Sequence, residues 1–386
     1  MLAILAPGQG SQRSGVLQPW LNDDTLATLQ RYSKAAGIDL VAAGTTMSDA
    51  EVTDTAIAQP LIVAASLLSA TQLPQLPTDT VFAGHSVGEF AATALAGVMS
   101  DEDALRVVAV RGAAMATAAA SPAGGMVAVL GGDRDIVEAA IARSGCTVAN
   151  ANGAGQIVAA GPMDAVERLQ ADPPEGARLR PLSVAGAFHT SLMAPARDAL
   201  ADAAGTVTAH DAEGGIVSNA DGTLVTDGQE VLRRLIEQVS TPVRWDACMR
   251  TLGALGVTAT IELAPAGTLT GLVRRALPGV EAVALKTPDD LDEARRVIIE
   301  HAHDLAEEPL PWRVVVSPTR GTVRIATTET GTRVQPGAAL GTISTRNEDV
   351  DFRTVHGGRL VEWLVNDGDP VADGQPLARL ATEATA

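Results

Sequence analysis

Residues 80–90 read TVFAGHSVGEF and combine features of a strand, a tight turn and a helix start. The apolar run before Gly84 is typical of a buried β-strand, and the following EFAATALA has the alanine-rich composition of a helix. GHSVG fits the pattern G-x-S-x-G, in which a strand turns sharply into a helix and exposes a serine hydroxyl. The stretch therefore predicts an α/β architecture with Ser86 as a candidate nucleophile. A serine between glycines also occurs in plain turns, so this pattern alone leaves both interpretations open.

Composition limits the class of protein. A chain of 386 residues that is 46% hydrophobic and only 2% aromatic predicts two or three domains with an aliphatic α/β core. The net charge of −18 argues against a nucleic-acid partner, because binding phosphates requires a basic surface. No apolar run reaches the roughly 18 residues of a membrane span, and the first residues do not resemble a signal peptide, so we expect a cytoplasmic protein with no membrane partner. The two cysteines show no metal-ligand spacing, and no metal site is expected.

The segments on either side of the GHSVG turn extend the α/β pattern. LAILAP at 2–7 predicts a second buried strand, and Ser100 followed by DED predicts a helix N-terminus. Arg111 falls at the edge of the apolar stripe of this helix. A charge in that position needs a partner, since an unpaired buried guanidinium is costly.

The order of elements changes between residues 124 and 186. Here the sequence predicts strand, helix, strand, strand, helix and strand, which is the βαββαβ order of a ferredoxin-like unit. We interpret about 124–186 as a lobe inserted into a larger domain that spans 1–305. The edges of such a lobe are natural walls for a cleft.

The C-terminal region contains an internal repeat. AEEPLPW at 306–312 predicts a linker, and 313–386 predict a separate domain. Within it, GTVRIATTETGTRVQPGAALGTI from Gly321 matches GRLVEWLVNDGDPVADGQPLARL from Gly358 at an offset of 37 residues. Two similar β-rich halves with glycines at fixed places predict a small all-β barrel or sandwich.

A serine nucleophile needs a base, and histidine is the usual one. Four of the six histidines lie in charged or polar segments: His210, His301, His303 and His356. His85 is adjacent to Ser86, and neighbouring side chains on such a turn diverge, so we expect it to support the loop. His189 in GAFHTSLMAPA remains as the candidate base, although on these grounds alone a structural histidine in a loop is favoured.

Eight motifs, in order along residues 1–305, resemble malonyl-CoA:acyl carrier protein transacylases. A set of ordered motifs is far more specific than one pattern. The resemblance implies an α/β-hydrolase-like core with a ferredoxin-like subdomain. The motifs are GQGSQ (8–12), QPLI (59–62), GHSVGEF (84–90), VRGAAM (110–115), NANGAGQIVAAG (150–161), GAFHTSLMAPA (186–196), PVRW (242–245) and ELAPAGTLTGL (262–272).

The resemblance also implies roles for individual residues. Ser86 and His189 would form a catalytic dyad, the backbone N–H groups of Gln9 and Val87 an oxyanion hole, and Arg111 a clamp for the malonyl carboxylate. A backbone carbonyl around Arg244 would orient the histidine. The remaining candidates for the substrate site are Gln59, His85, Asn150, Asn152 and Phe188.

Phe188 in GAFH resembles the phenylalanine that malonyl-selective acyltransferases place in this position, where its bulk would crowd an α-methyl group. One methyl group is worth about 1–3 kcal/mol, so the resemblance implies a preference for malonyl rather than strict exclusion of methylmalonyl.

The C-terminal repeat resembles biotinyl and lipoyl carrier domains, which attach their cofactor to a lysine in a turn between the halves. Asn347 stands where that lysine would be, and no lysine follows Lys286. We therefore expect no covalent biotin or lipoate. The repeat would be a degenerate carrier fold that serves for docking or oligomerisation, or only for stability.

The sequence as a whole predicts an acyltransferase that moves malonyl from malonyl-CoA to an acyl carrier protein in fatty acid biosynthesis, with no cofactor. Two alternatives stay open: loading of a polyketide synthase carrier in trans, and a noncatalytic assembly factor. The intact Ser86, Arg111 and His189 argue against the last.

Overall fold

The computed structural model describes residues 1–120, 123–182, 184, 186–301, 312–326, 329–346, 348–355 and 357–381. The chain divides into two compact units, Met1–His303 and Asp304–Ala386. The predicted linker at 306–312 lies, except for Trp312, outside the described residues. In the described part of the chain, no helix is both long and apolar enough to cross a membrane.

The first unit contains ten strands and thirteen α-helices within the residues described. The strands are β1 Leu2–Ala6, β2 Val81–Gly84, β3 Gly124–Gly131, β4 Thr147–Gly153, β5 Gln156–Pro162, β6 Ala177–Pro181, β7 Ile216–Val217, β8 Leu224–Val225, β9 Ala259–Glu262 and β10 Glu281–Ala284. The helices are α1 Asp23–Ala36, α2 Leu40–Thr45, α3 Asp49–Val52, α4 Thr55–Ala70, α5 Gly88–Leu95, α6 Asp101–Ala120, α7 Arg134–Ser144, α8 Met163–Ala171, α9 Ala194–Ala204, α10 Gly228–Glu237, α11 Trp245–Ala254, α12 Thr268–Ala276 and α13 Leu291–His301.

The main sheet has the strand order β10-β9-β1-β2-β7-β8 and is parallel except for the β7–β8 pair. All five residues of β1 are buried. Leu2 and Ile4 belong to one hydrophobic cluster, whereas Ala3 and Leu5 belong to another. Because side chains alternate along a strand, this central strand packs on both faces, as its continuous apolar sequence predicts.

The predicted βαββαβ order is confirmed between β3 and β6. These strands form an antiparallel sheet in the order β4-β5-β3-β6, and α7 and α8 share a hydrophobic cluster with it. Residues of the opposite sheet face, including Met126 and Val158, belong to the largest cluster of the first unit. Val243 joins the two parts, since its backbone N–H donates to Ala149 and its carbonyl accepts from Ala151, both at 2.9 Å.

Helix α12 begins over a buried carboxylate. Glu262, at the end of β9, accepts hydrogen bonds at 2.7–2.9 Å from the backbone N–H groups of Gly267, Leu269 and Thr270, and another from the Thr270 hydroxyl. It therefore caps the helix N-terminus, where backbone donors lack partners within the helix and negative charge is favoured.

Replacing Glu262 by alanine is expected to lower the free energy of unfolding by about 3 kcal/mol, because buried N–H groups lose a charged acceptor. Thermal denaturation measures this loss. Glu300→Ala, at an exposed carboxylate on α13, is the matched control and should change stability by less than about 1 kcal/mol. Equal effects of the two substitutions would contradict the capping role.

The second unit is built from two antiparallel four-stranded sheets, ordered β11-β18-β16-β13 and β15-β14-β12-β17, with one hydrophobic cluster drawn from both. Strands β12, β13 and β14 match β16, β17 and β18 at the repeat offset of 37 residues. The strands are β11 Trp312–Val316, β12 Gly321–Ile325, β13 Arg333–Val334, β14 Ala339–Ser344, β15 Asp349–Arg353, β16 Gly358–Trp363, β17 Pro370–Val371 and β18 Pro376–Ala381. Asn347, the position expected for an attachment lysine, lies outside the described residues.

Candidate active site

Ser86 occupies the turn between β2 and α5, as the sequence predicts. Its φ is 53°, a left-handed conformation that costs energy for a residue with a side chain. The flanking glycines are required by close packing: a Cβ at Gly84 would lie 2.1 Å from the carbonyl carbon of Gly88, and one at Gly88 would lie 2.2 Å from the oxygen of Ala6. The turn therefore holds the serine in a conformation that larger neighbours would prevent.

His189 lies next to Ser86 although 103 residues separate them. The Ser86 hydroxyl donates to His189 Nε2 at 2.7 Å, and both residues are buried. His189 also has a positive φ, 59°. Burial, with a further contribution from the Arg111 charge, lowers the pKa of His189 to about 3. The imidazole is therefore neutral near pH 7 and able to accept a proton.

The carbonyl that orients His189 is not the one expected. His189 Nδ1–H donates to the backbone oxygen of Gln238 at 2.8 Å, so the prediction of a carbonyl around Arg244 is wrong. The reason is local: the Arg244 carbonyl already accepts the N–H groups of Ala247 and Cys248 at the start of α11. The Gln238 carbonyl, in a short 3-10 turn after α10, accepts the Thr241 N–H at 3.4 Å and has a second lone pair for the imidazole.

Arg111 is completely buried beside the serine. Its Nη1 donates to Gln59 Oε1 at 2.7 Å, and its Nη2 donates to Gln238 Oε1 at 2.9 Å and to Ser86 Oγ at 3.4 Å. No carboxylate of the described residues forms an ion pair with it, and its Nε has no hydrogen-bond partner among them. Burial lowers the pKa of Arg111 to about 9, an effect that the charge of Glu89 opposes. The guanidinium thus has a donor that no described residue uses.

A cavity of about 280 Å³ opens over these groups, between the main sheet and the β3–β6 sheet. Met126, Ala128 and Val158 supply an apolar wall from the latter. Of the predicted site residues, Arg111 and Val87 do not line it: Arg111 contacts the lining residues Gln59 and Ser86, and Val87 is fully buried at the start of α5. The predicted residues that line the cavity are Gln9, Gln59, His85, Ser86, Asn150, Asn152, Phe188 and His189.

His85 connects the two parts of the first unit rather than contacting the nucleophile. Its Nε2–H donates to Asn152 Oδ1 at 2.9 Å, and its ring packs edge-on against Trp245. Burial lowers the pKa of His85, so the ring is neutral near pH 7. This agrees with the expected supporting role. Of the other histidines, His303 and His356 lie outside the described residues.

Three polar residues around the nucleophile were not predicted. Asn219 Oδ1 accepts the Ser86 N–H at 2.8 Å while its Nδ2 donates to Gly84 O at 2.7 Å, so one amide holds both sides of the turn. Glu89 and Gln238 are buried beside it and complete a hydrogen-bonded network. Only Glu89, in GHSVGEF, stood within a recognised motif; the other two lie in segments without a local signal.

The described residues offer one group of side chains that could hold a metal ion, Glu281, Glu300 and His301. Arg296 pairs with both carboxylates, and His301 bonds to Glu281 at 3.0 Å. These contacts make the group an ion-pair network on the surface.

Comparison with known proteins agrees with this geometry. A family model described as an acyl transferase domain matches residues 5–292. The malonyl CoA-acyl carrier protein transacylase of Mycobacterium tuberculosis strain H37Rv is 50% identical over 298 residues, which cover 76% of this chain and 99% of that protein. The chain belongs to the malonyl CoA-acyl carrier protein transacylase family. The Escherichia coli K12 member is 34% identical over 76% of this chain and 98% of its own length.

Solved structures of the family extend the likeness to the fold. The crystal structure of MCAT from Mycobacterium tuberculosis superposes with a TM-score of 0.74 at 49% identity, covering 76% of this chain and 99% of that one. A malonyl-transacylase in complex with a type II PKS acyl-carrier protein gives a TM-score of 0.71 at 29% identity, with 76% and 99% coverage. The predicted α/β acyltransferase fold is therefore confirmed. The family model ends at residue 292, before the second unit.

Proposed function

We propose that this chain transfers the malonyl group of malonyl-CoA to the phosphopantetheine thiol of an acyl carrier protein, through a malonyl-serine intermediate, in fatty acid biosynthesis. Its family relatives carry the corresponding name. The observation that carries the proposal is the buried Arg111 beside Ser86, which has no carboxylate partner among the described residues. A site for uncharged acyl groups would not need a buried cation, because burying a charge without an anion costs free energy.

Acyl transfer in this site proceeds in two half-reactions. Ser86 Oγ attacks the thioester carbonyl of malonyl-CoA while His189 Nε2 takes the hydroxyl proton. The tetrahedral intermediate then breaks its carbon–sulfur bond, and the departing CoA sulfur receives the proton from His189. In the second half, the carrier thiol gives its proton to His189 and its sulfur attacks the malonyl ester, after which Ser86 leaves and regains a proton. The Gln238 carbonyl stabilises the imidazolium in both halves.

The negative oxygen of the intermediate requires hydrogen-bond donors. We assign this role to the backbone N–H groups of Gln9 and Val87. Within the described residues, neither N–H is used in another hydrogen bond. Val87 directly follows the nucleophile at the start of α5, where the helix dipole also favours negative charge.

Arg111 binds the malonyl carboxylate in this proposal. Gln59 fixes the guanidinium from one side, and Phe188 narrows the cavity against an α-methyl substituent. Asn150, Asn152 and His85 line the route of the thioester between the two sheets. Neither half-reaction is an oxidation or reduction, so we propose that no cofactor takes part and that malonyl-CoA is a substrate only.

For the domain organisation we propose an acyltransferase domain at 1–305, with a ferredoxin-like lobe at 124–186, a linker at 306–312 and a degenerate biotinyl/lipoyl-like domain at 313–386. The matched strands of the 37-residue repeat and the shared core of the two sheets support the last assignment. Because no lysine follows Lys286, this domain carries no biotin or lipoate on a lysine.

An acidic carrier protein needs a basic docking surface on this acidic chain. Arg275 lines a cavity together with Arg134 and Arg250, which both pair with Asp246 in the same lining. Leu272, one helical turn earlier on α12, lines the active-site cavity. We therefore propose docking beside α12 through Arg274 and Arg275. Arg178 and Arg180, exposed on β6, are further candidates.

The double substitution Arg274→Glu with Arg275→Glu is expected to slow transfer to the carrier protein about tenfold or more, because it replaces attraction by repulsion. Acylation by malonyl-CoA should change much less. Stopped-flow or quenched assays of the separate half-reactions provide the measurement, with Arg295→Glu on α13 as control. Equal slowing of both halves would contradict docking at this position.

The proposed function is tested by incubating the chain with malonyl-CoA and a holo acyl carrier protein. Malonyl-carrier should accumulate as CoA is released, and Ser86→Ala should form none. Transfer only to a polyketide carrier and not to a fatty acid carrier would favour the loading alternative. CoA release without malonyl-carrier would indicate a hydrolase.

A further inference from the structure

Glu89 is a buried carboxylate one turn from the nucleophile that the mechanism above does not use. It lies in the first turn of α5 and is 3% exposed. Its Oε1 accepts the backbone N–H of Asn219 at 2.8 Å, and its Oε2 accepts Gln238 Nε2 at 2.5 Å. Glu89 does not line the cavity, so any influence on substrate must pass through another residue.

The Gln238 side chain is the connection between Glu89 and Arg111. Its Nε2 donates to Glu89 Oε2 and to the Ser86 carbonyl at 3.0 Å, and its Oε1 accepts Arg111 Nη2 at 2.9 Å. The reverse orientation would direct the amide oxygen at a carboxylate and a carbonyl, and the NH2 group at a guanidinium. Glu89 thus acts with the Ser86 carbonyl and with Asn219 Oδ1, which also accepts Gln238 Nε2 at 3.2 Å, in fixing which end of the amide faces Arg111.

The same contacts have an electrostatic consequence. Among the described residues, Arg111 donates only to neutral acceptors, namely Gln59, Gln238 and the Ser86 hydroxyl. The nearby charge that favours its protonated form is that of Glu89, on the far side of the Gln238 amide. Burial raises the pKa of Glu89 to about 7, whereas the N–H donors of Asn219 and Gln238 on its two oxygens favour the ionised form. In that form, the order carboxylate, amide, guanidinium places a compensating negative charge near Arg111 without a direct ion pair.

We propose that Glu89 is a positioning residue for the substrate carboxylate: through the Gln238 amide it orients and stabilises the Arg111 guanidinium, and so sets the preference for a carboxylate-bearing acyl group. This inference rests on the proposed function, because it takes the Arg111 guanidinium as the group that binds malonyl. Glu89 would then be a determinant of acyl-group selectivity that does not itself line the cavity.

The test is Glu89→Gln, which keeps the shape and one acceptor oxygen but presents NH2 instead of oxygen to Gln238. The ratio of malonylation to acetylation of Ser86, from parallel reactions with malonyl-CoA and acetyl-CoA, is expected to fall about tenfold or more as Arg111 loses its oriented acceptor. Acetylation uses no carboxylate contact, and any disturbance of the Ser86 turn affects both reactions and cancels in the ratio. Glu167→Gln, the same change on the exposed face of α8, is the matched control and should leave the ratio unchanged.

Gln238→Ala provides a second route to the same result, because it deletes the bridging amide and keeps the backbone carbonyl that orients His189. It should lower the ratio like Glu89→Gln, and the two substitutions together should have no more effect than either alone. If Glu89→Gln does not fold, Gln238→Ala decides the matter. A malonyl/acetyl ratio within twofold of the unaltered protein in the folded variant would overturn the proposal.

The unaltered protein separates this inference from the proposed function. Absence of its Ser86 adduct with malonyl-CoA would contradict the proposed function. A normal adduct, with an unchanged ratio in the variants, would contradict only the role of Glu89.

Discussion

Replacing Arg111 by alanine is expected to reduce kcat/KM for malonyl-CoA by about a thousandfold, because the substrate carboxylate would then be buried without a cation. The guanidinium lies between Gln59 and Gln238, so its loss also leaves their buried amide oxygens without a donor. Acetyl-CoA has no carboxylate and should lose far less. Steady-state rates with the two thioesters measure this difference.

Arg111→Lys is the control for charge alone. A lysine ammonium is a single-point donor and cannot bond Gln59, Gln238 and a carboxylate with the geometry of a planar guanidinium, so it should recover only a small part of the activity. Equal losses with malonyl-CoA and acetyl-CoA in Arg111→Ala would show a structural role for Arg111 and contradict the clamp.

His189→Ala is expected to slow formation of the acyl-enzyme by about four orders of magnitude, since the serine loses its proton acceptor. The 2.7 Å contact between Ser86 Oγ and His189 Nε2 is the only one that places a base on the nucleophile within the described residues. Single-turnover release of CoA measures the acylation step without contribution from the carrier protein.

Asn219→Ala is an informative comparison for His189→Ala. It removes the clamp on the backbone of the Ser86 turn and leaves the base in place. It should therefore lower stability and reduce the rate far less than His189→Ala, which removes the base itself. If His189→Ala retained more than a tenth of the rate, another group would have to act as the base.

The local parts of this structure could be predicted from the sequence because their signals are local. The strand before Ser86, the turn glycines and the helix after them follow from apolar patterning and from the close approaches at Gly84 and Gly88. The cap at Ser100 is also observed, since its hydroxyl accepts the Asp103 N–H at 3.0 Å. The 37-residue repeat likewise marked three pairs of strands in the second unit.

The polar network behind the site could not be predicted in the same way. Gln238, Asn219 and Glu89 come from three separate segments, and only the folded chain brings their amide and carboxylate groups together. The histidine acceptor shows the same limit. The expected position near Arg244 is only six residues from Gln238, but the Arg244 carbonyl already accepts two N–H groups of α11, whereas the Gln238 carbonyl lies within reach of the imidazole. Which carbonyl is able to accept the imidazole N–H depends on the hydrogen bonds that each carbonyl already makes in the folded chain, and these bonds cannot be predicted from the sequence.

The central claim is tested most directly by the mass of the intact protein after brief exposure to malonyl-CoA. The account predicts a single malonyl increment that is absent in Ser86→Ala, much reduced in Arg111→Ala and removed on addition of a holo acyl carrier protein. An increment that persists in Ser86→Ala would contradict the assignment of the nucleophile. No increment together with rapid CoA release would show a hydrolase, and no increment without CoA release would favour a noncatalytic assembly factor.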